Sequence, residues 1–208
     1  MRLGRRLPQR FFARPCLEVA RDLVGCVLVH ELAGAAALAG RLVEVEAYLG
    51  DGTDPSAHSH GGPTQRNRSM FGPPGRLYSY RSYGIHTCVN LVCEPAGSAA
   101  AVLLRAVEPL QGVDIMRQNR GLAADCEGCI IASGPGRLAQ AFGLGLEHDG
   151  CSVVGRTLRV HAPHPSESQA PVVTGPRVGI SRAADLPFRF YAKDDPWVSP
   201  WRAGKAKR

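Results

Sequence analysis

The segment Leu42-Val-Glu-Val-Glu-Ala-Tyr48 concentrates side chains that can do chemistry. Read as a strand, its period of two puts Leu42, Glu44, Glu46 and Tyr48 on one face and Val43, Val45 and Ala47 on the other. The β-branched face is the natural core face. Glu is depleted in strands, so two on one face ask for a reason. One reading is a solvated face with a tyrosine lid. The other is a site where a carboxylate works beside an aromatic platform. Asp51 and Asp54 follow closely, so a divalent-metal cluster, and with it a metal-dependent nuclease, is conceivable. Against that, the acids fall on a strand and a Gly-rich loop without the spacing of a metal motif.

A second cluster lies at Leu77-Tyr-Ser-Tyr-Arg-Ser-Tyr-Gly-Ile-His86, which holds three of the five tyrosines in the chain. Tyr78 and Tyr80 share one face of a strand. Tyr83 falls beside Gly84 on a short turn, where a side chain projects outward. The surrounding stretch, Ser59 to Cys93, carries Arg66, Arg68, Arg76 and Arg81 and no acid. An exposed ring at a hairpin tip in such a neighbourhood suits insertion into a nucleic-acid stack, with the arginines facing phosphates. A tyrosine folded back on the sheet is the alternative. A non-catalytic nucleic-acid-binding module would use the same parts.

The charge balance points the same way only once it is located. The net charge of +7 comprises +5 in residues 1–14 and +4 in residues 202–208, leaving −2 for the body. The ends are therefore a basic arm and a basic tail suited to salt-sensitive phosphate attraction, and the acid-free segment is the informative part. Only 21% of the residues are charged and 44% are hydrophobic, which excludes a disordered chain and a coiled coil. No apolar run is long enough to span a bilayer as a helix. Seven cysteines, an odd number without a secretory signal before them, fit reduced thiols in a cytoplasmic protein. Cys126-Glu-Gly-Cys129 has the spacing of half a zinc site, but no second pair follows, and an exposed loop is the simpler reading.

The elements that must position these groups follow from periodicity. Pro15 to Val24 reads as a helix with Leu17, Ala20, Leu23 and Val24 on one face. Strands are expected over 26–32, 38–49, 76–80, 85–93 and 100–107, the last ending at Pro109. Helices follow over 110–120 and 136–144, and later strands over 152–160, 172–180 and 188–191. Strands outnumber helices and are joined by tight turns, so the fold class is α+β on a mainly antiparallel sheet. A basic arm (1–10), one compact domain (11–201) and a basic tail (202–208) make up the chain.

In order along the chain stand Val43-Glu-Val-Glu-Ala-Tyr-Leu-Gly50, Ala57-His-Ser59, Arg66-Asn-Arg-Ser-Met-Phe71 and Pro74-Gly75. Then come Leu77-Tyr-x-Tyr80, Tyr83-Gly84, Cys88-x-Asn90 and Leu103-Leu-Arg-Ala106. Ser133-Gly-Pro135, Arg177-Val-Gly179, Phe190-Tyr191 and Pro196-Trp-Val-Ser199 complete the set. This ordered series resembles the alkyladenine (3-methyladenine) DNA glycosylase family over nearly the whole chain.

The resemblance implies a single compact α+β domain whose curved antiparallel sheet, flanked by helices, carries a hairpin that enters the DNA minor groove. It implies that Glu46 deprotonates and aims a water, with Arg105 and the main chain at Val178 as its partners. Tyr48 and His58 would line one side of a flipped base and Tyr80 the other. Tyr83 would enter the duplex, and Asn90 would crowd the pocket against normal guanine. The implied partner is double-stranded DNA with a damaged purine. No cofactor, metal, membrane or obligate protein partner is implied, and the enzyme would act as a monomer, nucleoid-associated when on DNA. The three lysines, Lys193, Lys205 and Lys207, match no catalytic position, which favours water over a Schiff-base amine as the nucleophile.

Overall fold

The computed structural model describes residues 2–126, 128 and 130–200. Among the described residues eight strands form one antiparallel sheet: β1 (Val27–His30), β2 (Leu38–Tyr48), β3 (Leu77–Ser82), β4 (His86–Cys93), β5 (Ala100–Gln111), β6 (Leu158–His161), β7 (Val172–Gly175) and β8 (Arg189–Ala192). Their order is β3-β4-β5-β2-β1-β6, and β8 joins β2 to β7. The helices are short: α1 (Gln9–Phe12), α2 (Cys16–Leu23), α3 (Val113–Asn119) and α4 (Pro135–Ala141), with a 3-10 turn at Arg68–Phe71 and another at Leu146–His148. This is an α+β fold on a curled antiparallel sheet.

The two end strands of the main order, β3 and β6, are both covered along their outer edges, which removes sites for unwanted strand pairing there. Along β3, Leu77 N donates to Cys151 O at 2.8 Å and Val153 N to Gly75 O at 2.9 Å. Along β6, Leu7 N donates to Val160 O at 2.9 Å and Gly4 N to Ala162 O at 3.2 Å. The basic N-terminal residues are thus bonded to the sheet at the edge farthest from the β3–β4 hairpin in strand order.

Helix α2 buries Cys16, Val19, Ala20 and Leu23, the i, i+3, i+4, i+7 stripe of an amphipathic helix. This is one residue out of phase with the face expected from the sequence. Pro15 sets the helix start, and the Cys16 thiol turns inward towards the Tyr48 and Ala101 carbonyls. Strand β5 runs through Pro109 to Gln111, and α3 begins only at Val113. Proline is tolerated there because β4 pairs with β5 only as far as Leu103, leaving that flank free of a ladder, and the β2 register slips beside it. Two of the expected later strands are shorter than their apolar runs. Gly155 lies in a turn before β6, whose regular part starts at Leu158. Pro176 stops β7 after Gly175, and residues 177–180 bend away.

The largest core cluster joins α2, α4 and the inner face of the sheet through Phe12, Leu23, Leu42, Val45, Leu104 and Phe142, among others. The paired carboxylate strand lies in the middle of the sheet, with β5 on one side and β1 and β8 on the other. The basic tail 202–208, Trp201 and Cys129 lie outside the described residues, and so does the half zinc-site spacing that Cys129 would complete with Cys126.

Candidate active site

The strict alternation of β2 fails around Glu44. Leu42 pairs with Val107 and Glu44 with Ala106, so Val43 has no partner in the ladder; Val45 then pairs with Leu104, so Arg105 has none. Each strand thus carries one extra residue, and the two irregularities compensate. The first separates Leu42, which joins the main core with Val45 and Ala47, from the carboxylate face. The second frees Arg105 from the ladder and places its guanidinium between the two glutamates. Arg105 Nε donates to Glu44 Oε1 at 2.9 Å, and Arg105 Nη1 lies 3.4 Å from Glu46 Oε1.

Neither glutamate is on a solvated face: both are fully buried. Glu44 is saturated by protein. Besides Arg105, it accepts from Arg189 Nε at 2.6 Å and from Ser199 N at 2.8 Å. Burial alone would raise its pKa, but Arg105 and Arg189 hold the carboxyl below the ordinary carboxylate range. Such a residue is a structural anion.

Glu46 differs. Its Oε1 accepts from Val178 N at 2.7 Å, and its Oε2 accepts from the Tyr48 hydroxyl at 2.9 Å. Burial pushes its pKa up, against the opposing pull of Arg105, the Val178 amide and Tyr48. The result is a carboxylate that is more basic than usual yet supplied with donors that hold its ionised form. Val178 reaches it because the chain turns at Pro176 instead of continuing β7.

Glu46 lies at the wall of an open cavity of about 670 Å³, which Tyr48, His58, Tyr80, Asn90, Arg105 and Val178 also line. The volume is that of a small-molecule site. Tyr78 and Tyr80 stack with centroids 5.5 Å apart at 22°. His58 meets the edge of Tyr80 at 4.4 Å, and its Nδ1 shares a 2.8 Å hydrogen bond with the Tyr78 hydroxyl. His58 therefore stands with Tyr80 and Tyr78 on one wall, not beside Tyr48. The cause is Asn67, whose Nδ2 donates to the His58 carbonyl at 2.9 Å and ties that loop down. Desolvation, then Arg66, lowers the His58 pKa, which favours the neutral ring. Burial pushes Tyr78 up to about 12 and raises Tyr48 and Tyr80 further, so the phenols are neutral donors. Asn90 is buried and donates from Nδ2 to the Tyr78 carbonyl at 3.1 Å.

The β3–β4 turn presents Tyr83 at 89% exposure, with Ile85 at 69% beside it. Tyr83 adopts a left-handed φ of 49°, and Gly84 follows at 72°, as a tight hairpin turn requires. All four arginines of the acid-free segment are exposed. Arg66 lines the cavity, with its guanidinium 6.0 Å from the Tyr80 ring, and donates to the Arg81 carbonyl at 2.9 Å, so these two meet beside the hairpin. Arg76 lies at the other end of β3 and donates to the Gly150 carbonyl, while Arg68 opens the 3-10 turn.

The four acids considered for a metal cluster are not brought together. Glu44 is held by two arginines, Asp54 is paired with Arg177 at 2.6 Å, and Asp51 caps Thr53 on the surface. Among the described residues, no three His, Cys, Asp or Glu side chains converge as metal ligands would.

Sequence reasoning assigned no role to Asn67, Tyr78, Arg177, Arg189 or Ser199. Tyr78 carried a spacing signal, its position two residues from Tyr80, and Asn67, Arg177 and Ser199 fall within the ordered motifs without a role attached. The contacts of Arg177, Arg189 and Ser199 span long sequence separations that no local pattern records.

The sequence matches known proteins over most of its length. Residues 10–196 match the family model described as methylpurine-DNA glycosylase. A protein of Rhodopseudomonas palustris (strain HaA2), named "Putative 3-methyladenine DNA glycosylase", is 50% identical over 197 residues, covering 95% of this chain and 92% of its own. Proteins of the same name are 47% identical in Nitrosospira multiformis, over 94% of this chain and 95% of the relative, and 49% identical in Methanoculleus marisnigri, over 93% and 98%. A match of this length, on a chain whose buried carboxylate opens into an aromatic cavity, places the protein in the methylpurine-DNA glycosylase family.

Proposed function

We propose that this protein excises methylated purines, of the 3-methyladenine type, from duplex DNA in base excision repair, by hydrolysing the N-glycosidic bond. The observation that carries the reading is Glu46: a buried carboxylate, raised in basicity and held by Val178 and Tyr48, at the wall of a cavity lined by aromatic rings.

In this reading the target nucleotide rotates out of the helix, at a cost of a few kcal/mol that damage lowers. Tyr83 enters the space it leaves. The base enters between Tyr48 and the wall made by Tyr80 and His58, where stacking is worth about 1–3 kcal/mol per base. Asn90 narrows the pocket against the exocyclic amine of normal guanine. Glu46 takes a proton from water as the water oxygen bonds to C1′ of the sugar. The electron pair of the breaking C–N bond leaves with the base. The ionised carboxylate also stabilises the cation-like sugar, as in other glycoside hydrolyses. A purine methylated at N3 or N7 already carries positive charge and leaves readily. The product is an abasic site in an unbroken strand, and the enzyme is monofunctional. Arg66, Arg68, Arg76 and Arg81 contact the phosphates.

The test is base release from duplex oligonucleotides carrying single damaged purines, with EDTA present. Free base and an intact backbone are the expected products. Binding without release would instead favour a nucleic-acid-binding module. Release that EDTA abolishes, or strand scission, would favour the metal-dependent alternative.

A further inference from the structure

Arg177 is among the largest fully buried side chains in the protein, yet it does not line the cavity. Its guanidinium stands 4.6 Å from the centroid of the Tyr48 ring, which does line it. The cation therefore backs the ring on the side away from the pocket. Asp54, also buried, holds it by two bonds, Nη1 to Oδ2 at 2.6 Å and Nη2 to Oδ1 at 2.9 Å. A third bond, from Nη1 to the Ala47 carbonyl at 3.0 Å, ties it to β2. A fixed, dry, compensated ion pair thus sits directly behind one wall of the base pocket.

We infer that the Arg177–Asp54 pair is a specificity-determining element that sets how the pocket weighs positively charged purines against neutral ones. The inference rests on the reading above, in which the base stacks on the open face of Tyr48. Two cations on opposite faces of one ring oppose each other, because the first already uses the negative potential of the π system. The carboxylate of Asp54, paired with the guanidinium, opposes that charge at the base. Remove either partner and the pocket acquires the charge of the other.

The consequence has a defined sign. A 7-methylguanine base carries one more positive charge than hypoxanthine when bound, and this difference of one charge persists as the glycosidic bond breaks. In the first case the base goes from positive towards neutral; in the second it goes from neutral towards negative. The sugar gains the same charge in both. The ratio of kcat/KM for the two substrates therefore reads the electrostatic potential at the base, while losses that slow both substrates alike cancel from it. A stacked base lies about 8 Å from the guanidinium, taking a stacking contact of roughly 3.5 Å. Coulomb's law at an effective dielectric of about 20 makes the shift on the order of tenfold or more.

The experiment measures kcat/KM for duplexes carrying 7-methylguanine and hypoxanthine with the same preparation of each variant, after subtraction of uncatalysed depurination. In Asp54→Asn the ratio of 7-methylguanine to hypoxanthine is expected to fall by about tenfold or more. In Arg177→Gln it is expected to rise by a similar factor. Arg177→Lys keeps a cation beside Asp54 and is expected to hold the wild-type ratio even where both rates drop. Using one preparation for both substrates removes any dependence on the folded fraction, and Asp54→Asn decides alone if Arg177→Gln does not fold. Ratios unchanged within about twofold, or moving in the same direction in Asp54→Asn and Arg177→Gln, would overturn the inference. If wild-type protein releases neither purine, the reading of the pocket fails, and this inference with it.

Discussion

The Tyr48 hydroxyl donates to Glu46 Oε2 at 2.9 Å, so a ring that walls the cavity also holds the carboxylate beside it. Residues two apart on a strand share a face, and here that face is dry enough for the bond to matter. Tyr48→Phe keeps the ring and removes this donor. Glu46 then loses one of the interactions that lower its pKa, so its pKa rises further above the ordinary value. The ascending limb of the pH–rate profile is expected to move to higher pH. Single-turnover base release should fall by about tenfold on the acid side and recover as pH rises. An unmoved limb would mean that the bond does not act on the reacting carboxylate.

Glu46→Gln is expected to lose on the order of 10²- to 10⁴-fold in single-turnover rate while keeping its affinity for lesion-containing duplex. The aromatic walls survive the change, so a gel-shift or anisotropy titration should read near wild type. Loss of binding in proportion to turnover would reassign Glu46 to folding.

Glu44 has a different expected signature. Glu44→Ala leaves Arg105 and Arg189 buried without their shared anion, and such a loss costs about 3–5 kcal/mol. Thermal or urea unfolding measures it. Glu44 also contributes to acid stability with a definite sign. Its folded pKa is depressed, so its contribution is present above the unfolded value of about 4.3 and is lost as pH falls through the lower folded value. Wild-type stability should therefore decline in that window, and the Glu44→Gln variant should decline less.

Tyr83 is 89% exposed, so Tyr83→Ala is expected to leave the melting temperature unchanged. Duplex affinity should weaken by about 1–3 kcal/mol, while affinity for a free base analogue stays the same. Equal losses in the two titrations would assign the ring a structural role.

Reactions run with borohydride are expected to leave no covalent protein–DNA adduct, because no lysine among the described residues lines the cavity. Denaturing electrophoresis checks this, and a trapped adduct would show that an amine, not water, attacks the sugar.

The outline of the protein is legible in its residues. The two carboxylates beside a tyrosine, the turn that exposes Tyr83 and the acid-free run with Arg66 and Arg81 all follow from local spacing. So do the antiparallel hairpins and the ordered motifs that match the family. These depend on backbone periodicity and turn chemistry, which act over a few residues. The division of labour between the glutamates was not legible. The sequence pattern treats Glu44 and Glu46 alike, and only the fold brings Arg189 and Ser199 to one and leaves the other facing a cavity. The unpaired Val43 and Arg105 break the two-residue rhythm, and a bulge is a property of two strands, not of one. The placement of His58 with Tyr80, the amide of Val178 at Glu46 and the Arg177–Asp54 pair behind Tyr48 likewise depend on chain segments far apart in sequence. A buried charge is stable only where distant partners converge on it, and such convergence exists only in the folded chain.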